Sequence, residues 1–187
     1  MQATSLAITA ALQAQFPDQI LETHCFRGDE TVVIKKEAVE PVLRFLRDEP
    51  TLDFNFLMSL TAVDYVNYPT PKAKRLEVVY HLYSLKYGHR IRIKCPVEHK
   101  GSVTSVHHLW ASADWSERET WEMFGVKFDG HPNLKRLLTH IEFKGHPLLK
   151  DYDVKRRQVL LESDTMVDEM EKRLRFKGLK ADIPAEQ

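Results

Sequence analysis

The sequence predicts an α+β fold: a helix-backed mixed or antiparallel sheet in one domain, carrying an extended, partly helical C-terminal arm. Three observations predict it. Two helical apolar stripes occupy the first quarter, period-two apolar alternation fills the middle, and beyond about Ile141 the chain turns polar and poor in core residues. Residues 1–140 are therefore read as the α+β domain and 141–187 as the arm. A clean two-residue period means a sheet with one wet face and helices on the other.

The first helical stripe is Ile8, Ala11, Leu12 and Phe16, stopped by Pro17. Two β-rich runs, 20–26 and 31–34, flank Arg27-Gly28-Asp29-Glu30, a hairpin signal. Val39, Val42, Leu43 and Leu46 follow the i, i+3, i+4, i+7 pattern of a second helix, with Pro41 in its first turn. Phe54, Phe56, Met58, Leu60 and Ala62 then alternate along one expected strand face, and Leu76, Val78, Tyr80 and Leu82 along the next. Ile91, Ile93 and Cys95 form a third, backed by Arg90, Arg92 and Lys94. Residues 103–110 read as a short helix.

The richest stretch is ERETWEMFGVKFDGHPNLKRLL, residues 117–138. Ser116 and Glu119 have capping-box spacing and Gly125 supplies a stop, so it begins as a helix of little more than two turns. A short strand, 126–128, and a turn at Asp129-Gly130-His131-Pro132 follow. Near the C-terminus, Ser163 caps a last helix through Lys177. Its stripe of Val167, Met170 and Leu174 is too thin to serve its own core, which suits an arm over a neighbouring protein.

Composition narrows the function. At 187 residues the chain should bury about 70% of its unfolded surface without a metal or disulfide staple. Lys plus Arg and Asp plus Glu both number 27, a balance that argues against a free-standing nucleic-acid binder. Cys25 and Cys95 read as two buried, reduced thiols. Two cysteines cannot ligate an iron–sulfur cluster by themselves, and neither the paired cysteines of a zinc site nor a glycine-rich phosphate loop is present. No apolar run is long enough for a membrane span.

Three readings of the richest stretch and its surroundings compete. Glu119 and Glu122 share a helix face and could form a hydrolase's carboxylate pair, but nothing in the spacing splits their environments, and Arg118 is placed to pair with Glu122. The basic face of Arg90, Arg92 and Lys94 near Tyr83 and Tyr87 could hold RNA. Trp115, Trp121 and Phe124 beside Glu117, Arg118, Glu119 and Glu122 have the make-up of a partner interface.

The same stretch closely resembles the signature of the thirty-kilodalton (C-type) subunit of respiratory complex I, the proton-translocating NADH:quinone oxidoreductase. Glu117, Arg118, Glu119, Glu122, Met123, Phe124, His131, Lys135, Leu137 and Leu138 occupy its places without departure. The run from Leu60 to Tyr65, the run from Glu77 to Leu85, and Phe143-Lys-Gly-His-Pro-Leu148 with Lys150-Asp151 extend the likeness. Departures are His140-Ile141-Glu142 and the continuation after Asp151.

The resemblance implies a non-catalytic structural role in the peripheral, quinone-reducing arm. It implies docking on the forty-nine-kilodalton (D-type) subunit, near the cluster-bearing B-type and I-type subunits, on the cytoplasmic side of a bacterial membrane. FMN, the iron–sulfur clusters and the quinone site are expected in those and other partners, and no cofactor in this chain. Glu117, Arg118, Glu119, Trp121, Glu122, Phe124, His131, Lys135 and Arg136 are the expected partner surface, and Val167, Met170 and Leu174 the expected arm contact. The equivalent subunit of a ferredoxin- or F420-linked quinone oxidoreductase, or of a membrane-bound hydrogenase, is the nearest alternative.

Overall fold

The structure, a computed structural model, describes residues 2–70, 72–155, 158 and 172–174. The chain divides into two compact units, Met1–Val154 and Lys155–Gln187. Of the expected arm contacts, Val167 and Met170 lie outside the described residues, and Leu174 falls in the helical piece 172–174.

The first unit is built on a five-stranded sheet. Helix α1 (Gln2–Gln15) leads into β1 (Ile20–Phe26) and β2 (Asp29–Ile34), then α2 (Val39–Asp48), β3 (Phe56–Asp64), β4 (Leu76–Tyr83) and β5 (Arg90–Val97). The strand order is β1-β2-β5-β4-β3, with β2 and β5 parallel and every other pair antiparallel. The mixed α+β architecture expected from the alternation is therefore present. Arg27 and Gly28, with φ of 54° and 83°, make the tight β1–β2 turn that a two-residue hairpin loop requires.

The core lies between the sheet and its helices. Val39, Val42, Leu43 and Leu46 of α2 are all fully buried, so the predicted stripe is the packed one. Ile8 and Leu12 of α1 join it, against Leu76, Val78, Tyr80 and Leu82 of β4 and Ile91, Ile93 and Cys95 of β5. On the sheet's other face the cations are matched on the spot. Arg90 and Arg92 reach Asp29, and Lys94 reaches Glu77, so the face that could have served RNA is internally paired.

Strand β3 corrects the expected alternation. Its register slips between Leu57 and Ser59, a bulge at Met58. Phe56 and Met58 are consequently exposed, whereas Leu57, Leu60 and Ala62 point into the core. One inserted residue reverses the phase of everything before it. Cys25 is a second correction: it lies exposed on the edge strand β1, and only Cys95 is buried, its thiol pushed up to about 12 by loss of water.

Residues 103–110 are not a helix. Ser102–Thr104 forms β6, which pairs in parallel with β7 (Lys127–Asp129), and a turn closed by Val106 follows. Val103, Val106, Leu109 and Trp110 are all buried, so their three-residue spacing serves a strand and turn as well as it would a helix. Helix α3 runs from Ala113 to Phe124, longer than expected, with Ser112 rather than Ser116 at its cap position. Ser116 sits inside it, its hydroxyl donating to the Ser112 carbonyl.

Helix α3 covers the last strand of the sheet. The Ser112 hydroxyl donates to the Leu57 carbonyl at 3.5 Å and the Trp110 indole to the carbonyl of Phe54, just before the strand, at 3.3 Å, while the Thr120 hydroxyl, which donates to the Ser116 carbonyl at 2.8 Å, lies 3.4 Å from the Leu60 carbonyl. Side-chain donors on a sheet's edge carbonyls remove an open template for strand addition. The helix carrying the signature is thereby fixed to the core.

Candidate functional site

The signature folds around α3 as a helix and a strap. After β7 the chain turns at Gly130 and runs alongside α3 in the same direction, from His131 to Thr139. Each helical turn grips it once. His131 Nε2 meets the Asp114 carbonyl and carboxylate, both at 3.0 Å. The Asn133 amide donates to Nδ1 of the same ring, which assigns the proton to Nε2.

One turn on, Arg118 donates through Nε to the Lys135 carbonyl at 3.0 Å and through Nη2 to the Arg136 carbonyl at 3.2 Å. Its guanidinium also lies over the Trp115 ring, 5.4 Å from the centroid. Arg136 in turn donates to the Phe143 carbonyl at 2.6 Å and sits over the rings of Trp121 and Phe143.

Glu122 is the centre of the strap. Its carboxylate accepts the amides of Leu137, Leu138 and Thr139 at 2.5, 2.9 and 2.6 Å, and also the Thr139 hydroxyl. Burial alone would raise its pKa. The Thr139 hydroxyl and the three amides outweigh that and hold it below the ordinary glutamate value. A carboxylate fed by several amides behaves this way because every donor favours the ionised form.

The segment after the strap then closes the end of α3. His146 Nδ1 lies 2.8 Å from the Glu122 carbonyl and the Leu148 amide donates to Met123. These satisfy carbonyls that a helix end leaves open. Gly125 stands here with φ of +80°, and a Cβ on it would come within 2.8 Å of the His146 ring. We expect Gly125→Ala to lower stability by about 1–3 kcal/mol, through left-handed backbone strain plus displacement of His146. Thermal unfolding of the purified chain measures it, and an unchanged midpoint would count against this packing.

Glu117 faces the opposite way, into the fold. Its side chain is wholly buried, accepting the Ser105 hydroxyl at 2.5 Å and the Val106 amide at 2.7 Å. Burial raises its pKa, and the two donors with nearby His131 offset only part of the rise. Glu117 and Glu122 thus have environments pushed apart, as an acid–base pair needs. Both are fully buried, however, and occupied by protein donors. Two surface hollows of about 120 and 370 Å³ are lined by residues other than the signature. The signature carboxylates are thus spent on donors of the fold itself.

The sequence expectations change accordingly. Glu117 and Glu122, expected on a partner surface, are interior. Arg118, expected to pair with Glu122, holds the strap's backbone instead. Glu119 is exposed and has no partner among the described residues. Phe124 is buried, Trp121 half-buried, and Lys135 exposed apart from its carbonyl's bond to Arg118.

A second knot of charge, a clasp made by Asp64, Arg75 and Asp151, does not appear among the expected site residues. Asp64, its side chain wholly buried, takes two bonds from Arg75, through Nε at 3.0 Å and Nη2 at 2.8 Å. Arg75 also grips Asp151 through both terminal nitrogens at 3.0 and 2.7 Å, and the Lys150 amide donates to Asp64 at 2.9 Å. A signal for it existed. Asp64 continues the buried phase of Leu60 and Ala62, and its antiparallel partner is Leu76, next to Arg75. Thr139, His146 and Ser105 were beyond reach, since they meet the signature only through the tertiary fold.

The chain is similar to known proteins over most of its length. Residues 32–158 match the family described as the respiratory-chain NADH dehydrogenase, 30 Kd subunit. The C subunit of the NADH-quinone oxidoreductase of Roseiflexus sp. (strain RS-1) is 45% identical over 152 residues, covering 81% of this chain and 85% of that protein. Its counterpart in Citrifermentans bemidjiense is 46% identical over 142 residues, covering 75% and 84%. Among solved structures, the trypsin-resistant fragment (1-134) of Nqo5 superposes with a TM-score of 0.59 at 28% identity, over 72% of this chain and all of that one. A chain from the archaeal membrane-bound sulfane sulfur reductase shares the fold at 19% identity, with a TM-score of 0.64. With its strap and clasp in place on the matched residues, the chain belongs to the family of the 30 Kd subunit of the respiratory-chain NADH dehydrogenase, the C-type subunit of complex I.

Proposed function

We propose that this chain is a non-catalytic scaffold of the peripheral arm, docking on the forty-nine-kilodalton (D-type) subunit near the B-type and I-type subunits. It supports electron flow from NADH to quinone without a flavin, cluster or quinone ligand of its own. The observation that carries the reading is the use of the signature charges. Glu117, Arg118 and Glu122 are consumed in shaping one ridge, and a site that binds or transforms a substrate would leave such groups accessible.

What the ridge presents outward is apolar. Trp115 on α3 is 61% exposed, Leu138 on the strap 63%, and Ile141 just beyond it 90%. Large exposed apolar side chains on a rigid backbone suit a permanent interface, with aromatic anchors at its centre. The exposed Glu119 adds a carboxylate for a basic partner group. No helix of the described residues is long and apolar enough to cross a membrane.

Leu138→Asp with Ile141→Asp tests the docking. The double variant should fold with its stability changed by less than about 1 kcal/mol, since both side chains are exposed. Recovery of the forty-nine-kilodalton partner with a tagged copy from the native host should fall at least about tenfold, as loss of an interface anchor predicts. Undiminished recovery would remove this face from the interface.

A further inference from the structure

Glu117 is sealed inside the fold, yet its hydrogen-bond chain leads outward. The Ser105 hydroxyl that donates to Glu117 Oε2 at 2.5 Å also lies 3.0 Å from His107 Nδ1, and accepts the His107 amide at 3.4 Å. His107 is half-buried on the turn after β6, and its Nε2 takes no hydrogen bond among the described residues. A serine hydroxyl has one proton. When that proton points to an ionised Glu117, His107 must carry its own proton on Nδ1 to complete the chain. When Glu117 is protonated it donates to Ser105, Ser105 donates to Nδ1, and the His107 proton must sit on Nε2.

We propose that Ser105 and His107 form a proton relay through which the buried Glu117 carboxyl exchanges with solvent, and that its protonation state sets the tautomer of His107. The steps balance. A proton from water binds His107 Nε2, the Nδ1 proton passes to the Ser105 oxygen, and the serine proton passes to Glu117 Oε2. One proton is taken up and no heavy atom moves further than a hydroxyl rotation requires. The consequence at the surface is an inversion: His107 Nε2 is an acceptor when Glu117 is ionised and a donor when it is neutral.

The groups around the carboxyl are few. His131 of the strap favours the ionised form and Asp114, on α3 itself, opposes it. From β4 comes the buried Tyr80 hydroxyl, which has no hydrogen-bond partner among the described residues and feels the Glu117 charge. The rings of His108 and His131 lie 5.7 and 5.9 Å from that of His107. Burial of Glu117 raises its pKa, which brings the exchange nearer to neutral pH.

The test is nitrogen NMR of histidine-labelled full-length chain, read at His107. In alkaline solution the wild type should show a protonated, pyrrole-type Nδ1. Glu117→Gln mimics the neutral acid, its amide donating to Ser105, and should shift Nδ1 into the pyridine-type range at the same pH. Ser105→Ala should give the pyridine-type form whether residue 117 is Glu or Gln. The same tautomer in wild type and Glu117→Gln would overturn the relay. Should the glutamine variant fail to fold, a pyrrole-type Nδ1 surviving in Ser105→Ala would overturn it equally.

Discussion

Arg75→Ala should destabilise the protein by about 3–5 kcal/mol, the range for removing one partner of a buried ion pair. Asp64 would remain fully buried with only the Val66 and Lys150 amides for company. Residues 150–151 would lose their two bonds to the guanidinium, so the segment that carries His146 to the end of α3 would loosen. Arg75→Lys should fall between, because an ammonium keeps the charge but cannot fork to two carboxylates at once.

The pH dependence gives a second reading of the same clasp. Burial pushes the Asp64 carboxyl up, but Arg75 and the Lys150 and Val66 amides overcome it and bring it from 3.8 down to about 2. A depressed carboxyl contributes stability above its unfolded value that is lost as pH falls through the folded one. The contribution is roughly 2 kcal/mol. Wild type and Arg75→Ala should therefore converge as pH drops from about 4 towards 2. Urea unfolding followed by tryptophan fluorescence measures both effects, and a pH-independent gap between the two proteins would refute the assignment.

Glu122→Ala should cost roughly 2–4 kcal/mol, as three strap amides and the Thr139 hydroxyl lose their acceptor together. The strap is partly open to water, which keeps the figure below four full desolvation penalties. Glu122→Gln is the more telling change. It retains one acceptor but turns an NH₂ group towards an amide donor, so it should behave more like alanine than like glutamate. Hydrogen exchange at Leu137, Leu138 and Thr139 should rise in both variants while exchange in β4 and β5 rises only as far as global stability falls. Unchanged protection at those three amides would mean that the strap is held by something else.

These two expectations explain why the signature reads as it does. Glu117 and Glu122 lie on the same short helix, yet one is turned to the β6 turn and the other to the strap. Arg118 is spaced for a helical pair with Glu122 and does something different, because a guanidinium beside two free carbonyls gains more directional bonds than one beside an already saturated carboxylate. An i, i+4 rule sees the helix and not the strap laid against it.

Where local periodicity had a single solution, the sequence was enough. The stripe of α2, the core face of β4, the alternation of β5, the Arg27-Gly28 hairpin and the stop at Gly125 each follow from one residue's neighbours along the chain, whereas Glu77 and Val79 on the other face of β4 are buried as well. Where two local structures bury the same residues, it was not. Val103 to Trp110 satisfies a helix or a strand with a turn, and the parallel pairing with β7 decided between them. The bulge at Met58 is of the same kind, since nothing local says that a phase will reverse.

By itself, then, the sequence determined the α+β class, the order of most elements and, through the signature, the family. Tertiary structure alone decided what the signature residues do. A backbone amide carries no mark in sequence, and most partners of Glu122, Arg118 and Glu117 are backbone groups brought from 11 to 18 residues away. Only the fold could show that these charges build the ridge from within and leave Trp115, Leu138 and Ile141 on its surface.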